Sequence, residues 1–393
     1  MKKNIIFVMS NLECGGAEKA LISMLEVFDY SKYNVDLLLF NQKGIFLNKV
    51  PKQVNILEEP FGYKYYDMSV KKAITELLSK GKIKYAFGRL VSMFIYKIEK
   101  DSSRCNQRVW KYISNMFGKL DKEYDAAIGY LEGHPIYYCV DNVKAKKKIG
   151  FIHNDYDKLG LNSIGDREYF KYLDKLITVS PECVEVLKNR FPEYSYKVDN
   201  MYNIVSSEVI NKMAAENIDI EKNSTKIVTV GRLNKQKGYD LAIEACKLLV
   251  DKGYDLKWYV IGEGNERNKL EELIRIYNLK DRVILLGLKE NPYPYIKQAD
   301  IYVQTSRFEG KSIAIDEAKI LHKPIVVTNF TTVRDQISDG INGLIVEMNS
   351  DCICKGIEKL LVDSNLKEKL VQNLIKESFG NEEEVNKMYT WCI

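Results

Sequence analysis

The strongest constraint on the fold is a repeated alternation of short β-rich runs with helical patterns along the 393 residues. Such alternation is typical of parallel sheets with helices on both faces. A chain of this length also suits two cores better than one. We therefore predict an α/β protein with two Rossmann-like domains. The β-rich runs form a first series, 5–9, 35–40, 126–130, 148–152 and 176–179, and a second, 226–230, 258–261, 283–286, 301–304, 325–328 and 344–346.

The polar stretch at residues 206–225 separates the two series. It predicts an N-terminal domain over residues 1–205 and a C-terminal domain over residues 206–380. The last segment, residues 381–393, has helical spacing, and we expect this helix to pack on the N-terminal domain.

Cysteine and histidine usage gives no sign of a disulfide framework or a metal centre. The eight cysteines include no C-x-x-C spacing, and the three histidines lie far apart in sequence. Lys2 and Lys3 precede only a short apolar run, and no stretch approaches the roughly 20 apolar residues that span a bilayer. We expect a cytoplasmic protein without a metal or another cofactor.

Residues 61–120, named here the basic segment, carry 13 Lys or Arg against four Asp or Glu, a charge of +9 in a chain of net charge +5. Two uses of its helical pattern are open. Its apolar stripes can cover the sheet as in ordinary amphipathic helices, with Lys and Arg on the outer faces. Those cations can in addition bind anionic lipid headgroups. The apolar positions are Val70, Ala73, Ile74, Leu77, Leu78, Ile83, Phe87, Leu90, Val91, Phe94 and Ile98.

Three strand ends of the second series carry candidate binding residues. In VGRLNKQKG, the strand ends at Gly231, and Arg232 and Lys237 follow at the edge where open α/β sheets bind ligands. Two cations there would neutralise a diphosphate, although alone they could be ordinary surface charges. At a second strand end, YVIGEGNE, the glycines beside Glu263, Gly262 and Gly264, could let the backbone approach a ligand closely or could form a simple turn. At a third, LLGLKEN, backbone groups around Leu288 could recognise a nucleobase.

The stretch SRFEGKSIAIDEAKI carries two carboxylates eight residues apart, Glu309 and Glu317. A helix beginning near Ser312 would present unpaired backbone N–H groups at Gly310, Lys311 and Ser312, which is an anion site. Two acids would repel a phosphate on its own. Their presence indicates that at least one of them holds sugar or ribose hydroxyls.

These motifs together resemble glycosyltransferase family 4, of the two-domain GT-B fold, and in particular its bacterial capsule, exopolysaccharide and lipopolysaccharide members. The resemblance rests on E-x7-E at Glu309, GRL-x3-KG at Gly231, the GEG turn, and GGAE at residues 15–18 after the first strand. It covers essentially the whole chain. It implies two domains that face each other across a cleft, with a C-terminal helix that crosses back.

The resemblance also implies residue roles. Arg232 and Lys237 would bind the donor diphosphate, Glu317 the ribose hydroxyls and Glu309 the transferred sugar. Gly16 would face the diphosphate from the opposite domain. His153, in GFIHNDY, would lie on the acceptor side and hydrogen-bond the donor sugar or the incoming hydroxyl.

The other two histidines lack this context, so we interpret His322 as structural and His134 as a weaker acceptor-side candidate. Two departures from the family pattern leave the donor sugar open. Lys311 and Ser312 stand where many members have a hydrophobic pair, and Phe330 and Thr331 stand where many have Gly-Gly.

The expected function is retaining, metal-independent transfer of a hexose or N-acetylhexosamine from a nucleotide sugar, UDP-sugar being expected, to a glycan acceptor. The basic segment suggests that this acceptor is lipid-linked and that the protein is peripheral on the inner face of the cell membrane. A teichoic acid or protein acceptor, and a non-catalytic subunit supporting a partner transferase, are the alternatives. No nucleic-acid module is visible, so nucleic acid is not an expected partner.

Overall fold

Parallel β-strands connected by helices build two compact units. The computed structural model describes residues 2–13, 15–221, 224–377 and 379–392. The N-terminal unit comprises Met1–Glu13, Ala17–Tyr202 and Glu383–Ile393, and the C-terminal unit comprises Asn203–Glu382 with Cys14–Gly16. The predicted α/β class with two Rossmann-like parallel sheets is confirmed.

The N-terminal unit has a seven-stranded parallel sheet in the order β3-β2-β1-β4-β5-β6-β7. Its strands are β1 Lys3–Met9, β2 Tyr33–Leu39, β3 Asn55–Ile56, β4 Glu123–Gly129, β5 Lys144–Ile152, β6 Lys175–Thr178 and β7 Val198–Asn200. Its helices are α1 Gly16–Glu26, α2 Tyr63–Asp67, α3 Val70–Ser79, α4 Ile83–Ile98, α5 Ser102–Ile113, α6 His134–Asn142, α7 Ser163–Phe170 and α8 Pro181–Arg190.

The C-terminal unit has a six-stranded parallel sheet in the order β10-β9-β8-β11-β12-β13. Its strands are β8 Thr225–Val230, β9 Leu256–Ile261, β10 Val283–Leu285, β11 Ile301–Gln304, β12 Ile325–Thr328 and β13 Leu344–Val346. Its helices are α9 Ser207–Met213, α10 Tyr239–Asp251, α11 Arg267–Ile276, α12 Tyr293–Gln298, α13 Ile313–Ile320, α14 Ser350–Val362 and α15 Ser364–Lys376.

The last helix, α16 (Val385–Trp391), belongs to the N-terminal unit. Tyr389 stacks on Tyr33 with ring centroids 5.1 Å apart, and its hydroxyl accepts a 2.7 Å hydrogen bond from the Asp29 backbone N–H. Phe28 packs edge-on against the same ring at 5.2 Å. One aromatic side chain therefore attaches the chain's end to the second strand of the sheet and the turn before it.

The basic segment folds into α2 to α5, and two expectations about it are wrong. Arg89 is not on an outer face: it is 5% exposed, and its Nη2 donates to the Met68 carbonyl at 3.0 Å. The α4 stripe also does not cover the sheet, because Ile83, Phe87 and Phe94 are all more than half exposed. Ala73 and Leu77 of α3, by contrast, are fully buried in the core.

Within the described part of the chain, every helix is too short or too polar to cross a membrane. The seven cysteines that the structure describes are free thiols, and six of them are buried.

Candidate active site

The centre of the C-terminal sheet contains a topological switch point. The chain leaves β8 towards β9 and β10 on one side, and it returns to β11 on the other side of β8. Gly231 follows β8, and the loop at residues 305–312 follows β11. Ligands of open α/β sheets bind beyond the carboxyl ends of the strands at such a point.

Several side chains hold the Glu309 carboxylate at this point. Its Oε1 accepts from Lys237 Nζ at 2.6 Å, Gln304 Nε2 at 3.0 Å and Ser306 Oγ at 2.5 Å, and its Oε2 lies 3.4 Å from Gln236 Nε2. The Glu309 side chain is only 6% exposed. A buried carboxylate needs such donors to offset its lost hydration. These contacts fix its orientation.

Sequence reasoning identified Glu309 and Lys237 but missed the other three donors. Gln304 is the last residue of the buried run IYVQ, and a polar residue ending a buried strand was the available signal. Nothing in the pattern around Gln236 or Ser306 distinguishes them from ordinary loop residues.

Close backbone approach holds Lys237 beside the β11 loop. Thr305 Oγ1 donates to the Lys237 carbonyl at 2.9 Å, and the Arg307 N–H donates to the Gln236 carbonyl at 2.7 Å. Gly238, with φ +65°, makes this approach possible, since a Cβ there would lie 2.1 Å from the Thr305 carbonyl oxygen. The Lys237–Glu309 ion pair is thus positioned by the main chain.

An ion pair between Arg307 and Asp240 closes the same loop onto α10, with two N–H to oxygen distances of 2.9 and 2.6 Å. Burial acts to raise the pKa of Asp240. The Arg307 hydrogen bonds outweigh it and hold that pKa below its ordinary value.

The predicted anion site at Gly310, Lys311 and Ser312 is corrected at Ser312. Its backbone N–H donates to Gln336 Oε1 at 2.8 Å, and Gln336 Nε2 donates back to the Ser312 carbonyl at 2.8 Å. A distant glutamine therefore supplies the hydrogen bond that the helix start requires. Lys311 Nζ lies 3.2 Å from an Asp316 carboxylate oxygen.

Glu317 occupies a different environment from Glu309. It lies on α13, is 2% exposed, and accepts a 3.3 Å hydrogen bond from the Tyr293 hydroxyl. The two predicted carboxylates are therefore both buried in the C-terminal unit, and each is held by a different set of side chains.

The ends of β8, β9 and β10 form the adjoining edge. The Gly231 N–H donates to the Ile261 carbonyl, and the Gly262 N–H donates to the Gly287 carbonyl, each at 3.0 Å. A Cβ on Gly262 would lie 2.0 Å from the Gly231 carbonyl oxygen, so only glycine fits. Leu288, which follows this edge, is 39% exposed.

The charged candidates at that edge are placed differently from one another. Arg232 is exposed at the end of β8. The Glu263 carboxylate accepts from Arg267 Nη1 at 2.5 Å, across one turn. Gly264, the second glycine of the turn, approaches Leu233, whose carbonyl oxygen would lie 2.2 Å from an added Cβ.

The strands of the N-terminal sheet lead to further candidates, at the ends of β1, β4 and β5; of these, Gly16 is counted with the C-terminal unit. Gly16 begins α1 after β1, and His153 follows β5 with 7% exposure. The His153 N–H donates to Glu132 Oε2 at 3.1 Å, and its ring lies 4.9 Å from that of Tyr130. Glu132 was missed by sequence reasoning. Burial raises the pKa of its carboxyl, so this group retains a proton more readily than an exposed glutamate.

His134 and His322 are packed side chains. His134 Nε2 lies 2.8 Å from the Asn106 carbonyl, its ring centroid lies 4.9 Å from that of Trp110, and burial lowers its pKa to about 4. His322 stands at φ +52° after α13, and burial lowers its pKa as well.

Among the described residues, no group of three or more His, Cys, Asp or Glu side chains is placed to hold a metal ion. The absence of a metal cofactor stays a prediction of the sequence.

Comparison with known proteins identifies the C-terminal unit most directly. Residues 212–377 match the family model described as glycosyl transferases group 1. The chain is 27% identical over 386 residues to a Campylobacter jejuni enzyme named N-acetylgalactosamine-N,N'-diacetylbacillosaminyl-diphospho-undecaprenol 4-alpha-N-acetylgalactosaminyltransferase, covering 93% of this chain and 92% of that enzyme.

Two other relatives match over a shorter stretch. A Staphylococcus aureus capsular polysaccharide biosynthesis glycosyltransferase, CapM, is 29% identical over 46% of this chain and 49% of its own. An uncharacterised glycosyltransferase of Methanocaldococcus jannaschii is 29% identical over 42% of each chain. The chain thus spans less than half the length of these two relatives.

Solved structures share the fold over nearly the whole chain. A Staphylococcus aureus TarM mutant in complex with Fondaparinux, alpha-GlcNAc-glycerol and UDP aligns with a TM-score of 0.65, at 15% identity over 99% of both chains. Anabaena Alr3699/HepE in complex with UDP-glucose aligns with a TM-score of 0.69, at 14% identity over 99% of this chain and 98% of that one.

The two Rossmann-like parallel sheets and these neighbours show the GT-B fold. Residues 212–377, less than half of the chain, are similar to the glycosyl transferases group 1 family. The predicted family and enzyme class are confirmed. The roles of individual residues stay predictions.

Proposed function

We propose that the protein is a retaining, metal-independent glycosyltransferase that moves a hexose or N-acetylhexosamine from a UDP-sugar to a lipid-linked glycan in bacterial surface polysaccharide synthesis. The observation that carries this proposal is the ion pair of Lys237 with the buried Glu309 at the switch point of the C-terminal sheet. It combines a cation for a diphosphate with an oriented carboxylate for a sugar.

The donor diphosphate would bind at Lys237 and Arg232. An ammonium group has three N–H bonds, and Glu309 takes one of them at 2.6 Å. The other two are suited to diphosphate oxygens, and the exposed Arg232 guanidinium at the end of β8 can add two parallel hydrogen bonds. Negative charge that develops on the departing diphosphate would then meet fixed cations.

Glu309 would hold hydroxyls of the transferred sugar. The donors around its Oε1 orient the carboxylate, while Oε2 lies 3.4 Å from Gln236 Nε2. A carboxylate can accept several hydrogen bonds, so a sugar hydroxyl can be added without displacing Lys237.

The proposed step is a front-face displacement. The bond between the anomeric carbon and the diphosphate oxygen breaks, with its electron pair leaving on the diphosphate. The acceptor hydroxyl oxygen bonds to the same face of that carbon and passes its proton to the departing oxygen. His153, beside the half-buried Glu132, would hydrogen-bond the donor sugar or the incoming hydroxyl.

The acceptor class is supported by the Campylobacter jejuni relative, whose name specifies a diphospho-undecaprenol-linked glycan and which matches over 93% of the chain. The CapM relative supports a role in surface polysaccharide synthesis. The alternative of a teichoic acid acceptor is supported by another relative of the chain, a poly(ribitol-phosphate) alpha-N-acetylglucosaminyltransferase that is 26% identical over 52% of this chain.

The test begins with a panel of sugar nucleotides, each scored by thermal stabilisation of the protein. The stabilising donor is then incubated with undecaprenyl-diphosphate glycans or poly(ribitol phosphate), and the anomeric configuration of any product is determined by NMR. We expect retention, and unchanged rates in EDTA. Inversion, or activity lost in EDTA and restored by a divalent cation, would overturn the proposed mechanism.

Lys237→Met provides the residue-level test. Because the cation stabilises the leaving group, we expect kcat/KM to fall on the order of a hundredfold or more. Lys252→Met is the matched control, since Lys252 pairs with Glu358 on the surface at 2.6 Å. Near-normal activity of Lys237→Met would contradict the assignment. If the unmodified protein is folded but binds no donor and transfers no sugar, the result would favour the alternative of a non-catalytic subunit.

A further inference from the structure

Helix α4 presents an apolar stripe to solvent. Its members are spaced four, three, four and four residues apart, which places them on one side of a helix. None of them is covered by another part of the described chain to the degree expected for a core residue. The stripe consists of Ile83, Phe87, Leu90, Phe94 and Ile98, which are 68%, 63%, 38%, 52% and 72% exposed.

The other side of α4 is the packed one. It buries three small residues, Ala86, Gly88 and Ser92, together with Arg89 and Ile95. Gly88 approaches α5 so closely that a Cβ would lie 2.5 Å from the Tyr112 carbonyl oxygen. The orientation of α4 is therefore fixed by close packing of small residues, and this packing leaves the large apolar side chains outside. Soluble monomers rarely expose a contiguous apolar patch of this kind without a binding role.

The charges beside the stripe are basic, although Arg89 is buried and Lys80 pairs with Glu76. Residues 78–98 include five Lys or Arg and no Asp or Glu. At 100° per residue, Lys84 and Lys97 lie on either side of the stripe, and both are exposed. A second copy docking stripe to stripe would bring like charges together. An anionic surface would instead pair with them.

We propose that α4 lies in the plane of an anionic lipid bilayer, with the apolar stripe inserted at the boundary between headgroups and acyl chains and the flanking lysines at the lipid phosphates. An interfacial helix of this kind combines an apolar face rich in Phe, Leu and Ile with basic residues beside it. Sixteen residues give α4 a length of about 24 Å at the ordinary helical rise.

This inference goes beyond the proposed catalytic function and does not depend on it. Membrane partition is measured without sugar nucleotide or acceptor, so its failure and a failure of the proposed reaction are distinguishable.

The experiment measures flotation of the full chain with vesicles of phosphatidylcholine alone and with 30% phosphatidylglycerol, a test composition on the order of a natural anionic content. We expect binding to the anionic vesicles. Phe87→Ser combined with Phe94→Ser should weaken the partition about tenfold or more. The matched control is Ile164→Ser combined with Val362→Ser, two equally exposed apolar residues elsewhere, which should bind like the unmodified protein. Thermal unfolding of each variant checks that it folds.

Insertion is separated from surface adsorption by a second measurement. Phe94→Trp fluorescence should be quenched by brominated lipid acyl chains, above the signal of the unmodified protein. Equal vesicle binding by the Phe87→Ser, Phe94→Ser variant and the unmodified protein would overturn the proposal. So would a concentration-dependent dimer that the same variant abolishes, because a second copy would then cover the stripe.

Discussion

Single residues determine how closely the strand ends of the C-terminal unit approach each other, and Gly262 is the clearest case. Its φ is +149°, and an added Cβ would lie 2.0 Å from the Gly231 carbonyl oxygen. We expect Gly262→Ala to lower the free energy of unfolding of the C-terminal unit by about 2–4 kcal/mol. UDP affinity should fall about tenfold or more, because the strand ends proposed to bind the diphosphate would be displaced.

Gly253→Ala is the control for Gly262. Gly253 also has a left-handed φ, +88°, but an added Cβ there meets nothing within 4 Å. Gly253→Ala should lower the free energy of unfolding by about 1 kcal/mol, which is the cost of placing alanine in a left-handed conformation. UDP affinity should not change. Urea unfolding and UDP titration calorimetry measure both. Equal effects of the two substitutions would show that the contact with Gly231 is unimportant.

His134 gives the N-terminal unit a pH-dependent stability. Burial lowers its folded pKa to about 4, below the ordinary value of 6.5, so the unfolded state binds its proton more readily. The contribution is full above pH 6.5 and is lost as pH falls towards 4. We expect about 2 kcal/mol of lost stability between pH 7 and pH 5 from this group.

His134→Gln isolates that contribution. A glutamine amide can still donate to the Asn106 carbonyl but does not titrate. Its unfolding free energy should therefore change less between pH 7 and pH 5 than that of the unmodified protein. Acids with a raised pKa, such as Glu132, titrate in both proteins, so their contributions cancel in the difference. Parallel pH profiles for the two proteins would contradict the prediction.

Among elements, α16 is attached to the N-terminal unit in part by the ring and hydroxyl of Tyr389. Tyr389→Ala removes its ring from Tyr33 and Phe28 and should destabilise the N-terminal unit by about 3 kcal/mol. Tyr389→Phe keeps the ring and loses only the hydrogen bond from the Asp29 N–H, for about 1 kcal/mol. Chemical unfolding of the three proteins checks the order, and equal loss in both variants would contradict it.

The main strands of both sheets could be predicted because buried parallel strands are short apolar runs that end in glycine or polar turns. The edge strands β3 (Asn55–Ile56) and β7 (Val198–Asn200) were missed, since two or three residues, some of them polar, carry no such pattern. Their existence depends on pairing with β2 and β6.

The orientation of α4 could not be predicted from its period. Helical spacing identifies an apolar stripe but does not say whether the sheet or the solvent faces it. The available signal was the opposite stripe, in which Gly88 and Ser92 stand four residues apart with Ala86 nearby. Small residues permit close helix contact.

The hydrogen bonding of Ser312 could not be predicted either. A helix start predicts unpaired backbone N–H groups, and only the fold shows that Gln336 accepts a hydrogen bond from one of them.

At the scale of the whole molecule, each unit has a hydrophobic cluster of its own among the described residues, and we expect two unfolding transitions. One core contains Tyr65, Trp110 and Phe191, the other Trp258, Leu249 and Ile357. Independent cores of this size unfold as separate cooperative units unless an interface couples them. The transitions can be assigned because Tyr389→Ala should lower only that of the N-terminal unit.

UDP should then act on the other transition. The residues proposed to bind its diphosphate and ribose, Arg232, Lys237 and Glu317, all belong to the C-terminal unit. At 100 times its Kd, UDP would stabilise the C-terminal unit by about 2.7 kcal/mol and raise its Tm. The Tm of the N-terminal unit, which Tyr389→Ala lowers, should not change. Scanning calorimetry of the unmodified protein, Tyr389→Ala and Lys237→Met, each with and without UDP, measures all of these shifts. If UDP moved only the N-terminal transition, the assignment of nucleotide binding to the β8–β11 switch point would be wrong, because a ligand stabilises the unit whose folded state it binds.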